Sequence, residues 1–473
     1  MSSALSSLTI VEASKKLAAG EITSVDLVRA CIEVAKEKNP EIHAYLEIFE
    51  DAEAQAKEAD ALRQVQGKNA SPLLGIPLAI KDNILIEGKR ASAASKMLEN
   101  YVATYDSTAI AKLKKAGAVF IGRTNMDEFA LGGSTENSAF GVTKNPYDTA
   151  RVAGGTSGGS AAAVAADMAL GSLGTDTGGS VRNPASFCGV VGLKPTYGAV
   201  SRFGIIAAVS SFDQVGPITK TVGDAELIFN VIQGKDPLDS TSIDRSIYPA
   251  HEEKKVIGVI ETESIQGLNI EVLKQFDAAI DSFEQQGWQI KSIKLPSLAP
   301  ALAAYYITNF AEVSSNLSRF DGVRYGLRRE GDSLLTDYST SRAEGFGPET
   351  RHRILLGTYV LSAGYYDAYY GKAAAARAQL RKEFEEAFND VDVIATPTMP
   401  GTAWKVGEKE DPLSAYLADI FTVTANLTGN PAISVPMGSV QVEGKELPVG
   451  IQFTAAHGDE ATLFAVGKRV CGE

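Results

Sequence analysis

Residues 154–182 read GGTSGGSAAAVAADMALGSLGTDTGGSVR and hold two clusters of glycine and hydroxyl residues on either side of an alanine-rich segment. Glycine lets backbone N–H groups turn inward where a larger residue would clash. Around Thr177, Gly178 and Gly179, such amides predict a nest for developing negative charge beside the hydroxyl of Ser180. This arrangement favours acyl transfer, and the alternative is a tight turn with a solvated serine.

Two other kinds of glycine-rich motif, the nucleotide-binding loops and the nucleophile elbow, fit these clusters less well. A phosphate-binding loop needs GxxxxGK[ST], but neither GKS nor GKT occurs in the chain, and the dinucleotide fingerprint GxGxxG is missing from both clusters. Gly155, Ser157 and Gly159 match the nucleophile elbow GxSxG, yet residues 145–153 do not read as the strand that must precede an elbow. A Ser-His-Asp hydrolase is therefore an alternative without further support.

A nucleophilic serine needs a base, and histidine does not supply an obvious one. The four histidines, at positions 43, 251, 352 and 457, have no context that marks a base. Lys81 ends an apolar run, where burial would lower the pKa of its amine and favour the neutral form. The alternative is a surface lysine whose stem covers apolar neighbours.

Composition restricts the functions that the chain can have. A net charge of −13 argues against a general nucleic-acid binder, because phosphate contacts need clustered lysine and arginine. Three separated cysteines, without metal-ligand spacing, fit a reducing compartment, and no secretory signal or membrane-spanning run is visible. We therefore expect a cytoplasmic protein that contacts no membrane and binds no metal.

The pattern of apolar residues predicts an α/β fold. Residues 1–65 read as helical, with Thr23 and Ser24 as capping candidates, and Ala118–Ile121 reads as a strand after a capped helix. Long helical patterns cover Leu302–Leu317 and Gly364–Phe388. No linker divides the chain, so we expect one domain with a mixed central β-sheet, helices on both faces and a helical N-terminal layer. The further elements expected are strands at 254–260, 288–296, 391–397, 432–438 and 447–455, and a helix at 270–287.

Three motifs together identify a family resemblance. They are GIPLAIKDNI (75–84), GGTSGGSAAAVAA (154–166) and GTDTGGSVRNPASFCGVVGLKPTYG (174–198). In this order they resemble the amidase-signature family, whose catalytic unit is a Ser-Ser-Lys triad. The resemblance implies a single amidase-signature domain over 1–473, with the catalytic region at 75–220.

The resemblance also implies roles for individual residues. Ser180 matches the nucleophile, Lys81 the general base, and Thr177, Gly178, Gly179 and Ser180 the oxyanion-hole segment. Asp176 and Arg182 match residues that hold the catalytic residues in place without contacting the substrate.

The chain departs from the family at the middle residue of the triad. The bridging serine, which follows a cis peptide bond after glycine, is replaced by Thr156. Threonine keeps a hydroxyl that can pass a proton, but its methyl group stiffens χ1. We expect Thr156 to relay the proton, with Ser157 as the alternative.

Segments outside the three motifs resemble, within this family, the glutamine-hydrolysing subunits of tRNA-dependent amidotransferases. Glutamine needs a cation for its carboxylate and an anion for its ammonium group. Arg353 matches the carboxylate binder, Asp419 the ammonium partner, and either Tyr305 or Tyr306 the tyrosine at the pocket. The segments that carry the resemblance are residues 125–146, 185–219, 314–326, 345–370 and 411–421.

The resemblance implies partners as well. Ammonia would pass to a kinase-like, tRNA-binding B subunit, which holds the ATP and magnesium, and a small C subunit would clasp the amidase. This chain would then need no cofactor and would meet tRNA mainly through its partner. The alternatives are a stand-alone amidase acting on a small amide and a catalytically silent scaffold, the latter favoured only by Thr156.

Overall fold

The computed structural model of the chain describes residues 2–248, 253–260, 268–408 and 416–473. His251 and positions 411–415 of the segment DPLSAYLADIF lie outside these ranges. Within them, no helix is both long enough and apolar enough to cross a lipid bilayer.

A single mixed sheet of 11 strands forms the centre of the described fold, in the order β1-β3-β2-β4-β6-β5-β10-β11-β9-β7-β8. The strands are β1 (Tyr45–Ile48), β2 (Pro77–Lys81), β3 (Val119–Thr124), β4 (Gly171–Asp176), β5 (Val191–Lys194), β6 (Gln214–Thr219), β7 (Val256–Ile260), β8 (Gln289–Ile293), β9 (Val393–Pro397), β10 (Ala432–Val442) and β11 (Lys445–Ala455). Strand β2 runs parallel to β3 and β4, and β7 runs parallel to β8 and β9. The other neighbouring pairs are antiparallel.

Helices surround this sheet, which confirms the prediction of a mixed α/β fold. They are α1 (Ser2–Ser6), α2 (Ile10–Ala19), α3 (Ser24–Ile42), α4 (Ala52–Gln66), α5 (Thr108–Lys115), α6 (Gly158–Ala165), α7 (Arg182–Phe187), α8 (Val222–Ile232), α9 (Ile270–Gln285), α10 (Leu298–Leu317), α11 (Leu334–Gly345), α12 (Pro348–Val360), α13 (Lys372–Ala387), α14 (Val423–Thr428) and α15 (Glu460–Cys471). One sheet takes strands from both ends of the chain, and the single-domain boundaries at 1–473 stay a prediction.

Local sequence signals are confirmed at several helix ends. Thr23 caps α3 in a capping box with Asp26, and Ser107 caps α5 by accepting from the backbone N–H of Ile110. The strand expected at Ala118–Ile121 is β3, which runs from Val119 to Thr124 and so extends further toward the C-terminus than expected.

Two predictions about helices are wrong. The N-terminal 65 residues are not helical throughout, because β1 pairs antiparallel with the edge of β3. Helix α3 ends at Ile42, and its C-cap residue His43 adopts a left-handed conformation with φ of 58° that redirects the chain into β1. The helical pattern over Gly364–Phe388 begins with a π-helical turn at Asp367–Gly371, and α-helix follows only from Lys372.

The parallel pairing of β2 with β4 positions the site. Leu78, Ala79 and Ile80 lie opposite Gly171, Ser172 and Leu173, so the carboxyl ends of both strands reach the same edge of the sheet. Lys81 ends β2, and β4 ends at Thr175 and Asp176. The register alone therefore brings this lysine beside the segment that leads to Ser180.

Helix α6 packs against this edge and is buried over nearly its whole length. Its residues are mostly glycine and alanine, because neighbouring backbone comes very close. A Cβ atom on Gly159 would lie 2.5 Å from the carbonyl oxygens of Ala44 and Asn125 and 2.6 Å from the Asn125 nitrogen. Backbone atoms cannot swing aside as a flexible side chain can, so this position requires glycine.

We expect Gly159→Ala to lower the free energy of unfolding by about 2 kcal/mol, because the added methyl overpacks rigid backbone. Urea denaturation monitored by circular dichroism measures this change. Gly401→Ala is the matched control, since a Cβ atom there meets nothing within 4 Å. Equal denaturation midpoints for both variants would contradict the packing argument.

Candidate active site

The amine of Lys81 lies at the centre of a cluster of oxygen atoms. Its Nζ is 2.7 Å from Thr156 Oγ1, 2.8 Å from Ser157 Oγ and 2.9 Å from Thr175 Oγ1. The carbonyl oxygen of Thr175 is 3.2 Å away. The side chain is fully buried, which excludes the interpretation of Lys81 as a surface lysine.

Burial lowers the pKa of Lys81 to about 7. Three buried carboxylates oppose this effect from a distance, namely Asp127, Asp176 and Asp213. None of the three forms an ion pair with Lys81 in the described part of the chain, so desolvation prevails. A substantial fraction of the amine is therefore neutral near pH 7 and able to accept a proton.

The hydroxyl protons around Nζ distinguish Thr156 from Ser157. A neutral amine donates two hydrogen bonds and accepts one. Ser157 Oγ donates to the carbonyl oxygen of Thr175 at 3.2 Å, so its proton points away from the amine. Thr156 Oγ1 has no other acceptor among the described contacts, so its proton is the better placed to point at the lone pair of Nζ.

The turn that carries Thr156 is tightly enclosed. The Gly155–Thr156 peptide bond is cis, in agreement with the resemblance. A Cβ atom on Gly155 would lie 2.3 Å from Asp127 Oδ2 and 2.5 Å from the Ser134 nitrogen. The backbone N–H of Asp127 donates to the carbonyl oxygen of Thr156 at 3.3 Å. These contacts fix the position of the threonine.

Ser180 lies in the turn between β4 and α7, and its side chain is nearly buried. Its carbonyl oxygen accepts the backbone N–H of Ser157 at 3.1 Å, which joins the two glycine clusters directly. The hydrogen bonds of the described residues do not include one between Ser180 Oγ and Thr156 Oγ1. The proton relay between these hydroxyls thus stays a prediction.

The predicted oxyanion hole needs one correction. The backbone N–H of Gly179 donates to Asp176 Oδ1 at 2.9 Å and is therefore occupied. The N–H groups of Thr177, Gly178 and Ser180 have no such acceptor among the described residues. Gly179 contributes its conformation instead, because its φ of 129° is accessible only to glycine at low cost.

Asp176 and Arg182 form a fully buried ion pair behind this turn. Arg182 also donates to Thr422 O, Gln452 Oε1 and Asn426 Oδ1, at 2.9, 2.6 and 2.7 Å. Burial alone would raise the pKa of Asp176, but Arg182 holds it well below its ordinary value. The pair anchors the turn to the C-terminal part of the sheet.

Arg353 is buried on α12, and part of its guanidinium group is already hydrogen-bonded. Its Nε donates to Glu349 Oε1 at 2.7 Å and its Nη1 donates to Asn309 Oδ1 at 3.2 Å. The guanidinium also lies 5.7 Å from the ring centre of Tyr306 and 5.4 Å from that of Tyr416. Together these contacts fix the plane and direction of the guanidinium.

Both candidate tyrosines line the same region, but they contact different residues. Tyr306 Oη donates to Asp419 Oδ2 at 2.6 Å. The hydroxyl of Tyr305 lies against the turn that carries Ser180, so close that a Cβ atom on Gly178 would be 2.1 Å from the hydroxyl oxygen. Thr422 Oγ1 donates to the carbonyl oxygen of Gly178 at 2.6 Å, so the segment that follows Asp419 is tied to the turn.

Sequence reasoning missed several residues of this site. Thr175 was overlooked because a strand threonine is ordinary, although it lies inside the motif at 174–198, directly before Asp176. Glu349 lies four residues before Arg353, a spacing typical of helical ion pairs that could have indicated it. Asp127 and Asn309 lack any sequence signal, since only the fold brings them to the site.

Other chemistries receive no support from the described geometry. No strand directly precedes Ser157, as predicted, so its motif is not an elbow. Of the histidines that the structure describes, none bonds to Ser157 or Ser180. Among the described residues, no group of three or more histidine, cysteine, aspartate or glutamate side chains could hold a metal ion.

We expect amide hydrolysis by this site to rise from about pH 6 and level off above about pH 8, because only the neutral Lys81 amine accepts the proton. The pH dependence of kcat/KM measures this limb. Lys81→Arg keeps a permanent charge and should abolish activity over the whole range. A limb near pH 10 would contradict the buried, neutral amine.

Comparison with known proteins places the chain in a family. The family model named Amidase matches residues 26–464. The A subunit of glutamyl-tRNA(Gln) amidotransferase from Roseiflexus sp. (strain RS-1) is 50% identical over 472 residues, which cover 98% of this chain and 96% of the relative. The protein of the same name from Desulfatibacillum aliphaticivorans is 48% identical with the same coverage.

A solved structure agrees with these sequence relatives. The crystal structure of the glutamyl-tRNA(Gln) amidotransferase A subunit from Thermotoga maritima superimposes with a TM-score of 0.80 at 40% identity. The match covers 98% of this chain and 94% of that one. The signature motifs, the buried lysine and these relatives lead to one conclusion: the chain belongs to the amidase family.

Proposed function

We propose that this chain is the glutamine-hydrolysing subunit of a tRNA-dependent amidotransferase. The observation that carries the proposal is the buried Lys81 amine in contact with the Thr156 hydroxyl, in a chain nearly half identical to amidotransferase A subunits over almost its full length. The ammonia released would convert Glu-tRNA(Gln), or Asp-tRNA(Asn), to the amidated form at a second site in the complex.

The proposed reaction uses three side chains. Lys81 takes a proton from Thr156, which takes one from Ser180, and Ser180 Oγ attacks the carboxamide carbon. The C–N bond breaks, the amide nitrogen leaves as ammonia with the proton returned by Lys81, and a glutamyl ester remains on Ser180. Water then cleaves the ester by the same proton path and releases glutamate.

Backbone amides would stabilise the tetrahedral intermediate. The N–H groups of Thr177, Gly178 and Ser180 are the donors available to the developing oxyanion, since that of Gly179 is bound to Asp176. Tyr305 and Thr422 hold Gly178 in place from the opposite side. The donors are therefore oriented before substrate arrives.

Arg353 and Asp419 would select an amino-acid amide. The guanidinium of Arg353 is fixed by Glu349 and Asn309, so its remaining N–H groups can meet the α-carboxylate without losing side-chain entropy. Asp419, oriented by Tyr306, supplies the anion for the α-ammonium group. In this proposal Tyr306 is the tyrosine of the amino-acid pocket, and Tyr305 supports the turn that carries Ser180.

The partners follow from the proposed function. A kinase-like, tRNA-binding B subunit would hold ATP and magnesium and receive the ammonia, and a small C subunit would complete a cytoplasmic heterotrimer. Both A-subunit relatives are named for an amidotransferase of glutamyl-tRNA(Gln). Glutamine-dependent transamidation of misacylated tRNA by the co-expressed subunits tests this assembly, and its absence alongside activity on simple amides would favour a stand-alone amidase.

We expect Arg353→Ala to raise KM for glutamine about 10- to 100-fold, because the α-carboxylate loses charge-assisted hydrogen bonds. Hydrolysis of a simple amide without a carboxylate should change little. Arg351→Ala, which removes an exposed arginine from the same helix, is the matched control. Glutaminase activity indifferent to Arg353→Ala would refute glutamine as the substrate bound here.

We expect Thr156→Val to slow acylation by about 100-fold or more, because a methyl group cannot pass a proton. Thr156→Ser should keep most activity, and Ser157→Ala should cost less, since the Ser157 proton is directed to Thr175. Single-turnover acylation rates compare the three variants. An unimpaired Thr156→Val enzyme would remove Thr156 from the mechanism.

A further inference from the structure

Glu128 is a buried carboxylate that the proposed reaction does not use. It lies just beyond β3 with only 2% of its surface exposed. Its oxygens accept from Ser95 Oγ at 2.5 Å, from the Gly347 backbone N–H at 2.8 Å and from Thr350 Oγ1 at 2.5 Å. Two of these three donors are the N-cap residue and a first-turn residue of α12, the helix that carries Arg353.

The beginning of α12 depends on this carboxylate. Gly347 is the N-cap and has no side chain to accept from the first turn. Glu128 instead accepts from the backbone N–H of Gly347 itself and from the side-chain hydroxyl of Thr350, and its negative charge complements the positive end of the helix dipole.

The size of Gly347 is matched to this contact. A Cβ atom at this position would lie 2.7 Å from Glu128 Oε2. The φ of Gly347 is −69°, which any residue adopts, so a larger residue here would conflict with the Glu128 carboxylate and not with the backbone conformation. Any larger residue would push the carboxylate away from the helix.

The residue before Glu128 is attached to the turn that carries Thr156. The Asp127 backbone N–H donates to the carbonyl oxygen of Thr156 at 3.3 Å. The Asp127 carboxylate accepts the N–H groups of Ser134 and Thr135 at 3.3 and 2.8 Å, and Thr135 Oγ1 donates to Gly154 O at 2.8 Å. Two adjacent residues thus connect the proton relay with the helix that carries Arg353.

We propose that Glu128 is a positioning residue that sets the distance between the amino-acid pocket and the catalytic serine. It fixes the start of α12 against the turn of Thr156, so that a substrate held at Arg353 presents its amide to Ser180. Arg353 lies six residues after Gly347, about 9 Å along the helix, so a small tilt at the cap moves the guanidinium. The inference rests on the proposed function, since it requires a substrate with an α-carboxylate.

Glu128→Gln tests this role with almost no change in volume. The amide loses the charge, and its N–H group cannot accept a hydrogen bond. The hydroxyl of Ser95 is the partner able to face that N–H group, because it can donate to the carbonyl oxygen of Gly345 instead. We expect KM for glutamine to rise about tenfold in the complete amidotransferase. The kcat on a simple amide should stay within about twofold of the wild-type value. Glu99→Gln, the same substitution at an exposed position, is the control and should alter neither value.

A second measurement does not depend on the substrate. Amide hydrogen exchange in residues 346–353 should accelerate in Glu128→Gln and stay unchanged in Glu99→Gln, because the N–H of Gly347 and the hydroxyl of Thr350 then bond to a neutral acceptor that holds the start of α12 less tightly. Unchanged exchange would overturn the inference whatever the substrate is. Equal losses on glutamine and on the simple amide would also overturn it, since they indicate general damage to the fold.

The failure of the proposed function gives a different pattern. If the unchanged complex hydrolyses the simple amide but not glutamine, the assignment of substrate is wrong. Accelerated exchange in Glu128→Gln would then still show that this carboxylate holds the helix, but its role in binding an α-carboxylate would be refuted.

Discussion

Removal of the Lys81 amine from water is the constraint on which the rest of the site depends. In water the amine would be protonated at neutral pH and could not act as a base. The cost of desolvating the charged form brings the pKa to about 7, although three buried carboxylates act in the opposite direction. The surrounding oxygens satisfy the amine, and within the described residues no carboxylate forms a direct ion pair with it; such a pair would have stabilised the ammonium form. Burial with neutral hydrogen-bonding partners is therefore what leaves the amine able to accept a proton near pH 7.

Such burial requires neighbouring backbone to approach closely, and the glycine clusters permit it. Gly155 faces Asp127 and Ser134, Gly159 faces the backbone of Asn125, and Gly178 faces the hydroxyl of Tyr305. Each contact joins the catalytic turns to a segment distant in sequence. In the proposed function, the same closeness links proton transfer to substrate recognition, because the segments that enclose the turns also carry Asp419 and lead, through Glu128, to Arg353. Packing and chemistry are thus determined by the same residues.

Patterns of local sequence predicted the elements well where hydrophobic periodicity and capping residues coincide, as in α3 and α5. They failed at β1, a strand of four residues that exists only because the edge of β3 offers it hydrogen bonds. In the site, the motifs indicated Lys81 and Ser180, but they could not show that the amide of Gly179 is occupied by Asp176. Thr175 was missed because nothing in its neighbours distinguishes a hydroxyl that contacts Lys81 from one on any other strand.

The sequence by itself determined the α/β class, the family and the residue types available for catalysis, because these are carried by local periodicity and by contiguous motifs. Only the tertiary structure decided which hydroxyls surround the amine, how far its pKa falls, and that Arg353 is held by Glu349 and Asn309. Those properties depend on the register between β2 and β4 and on contacts between residues far apart in the chain. A local sequence pattern can predict neither a strand register nor a desolvation energy, since each arises only when the whole chain has folded.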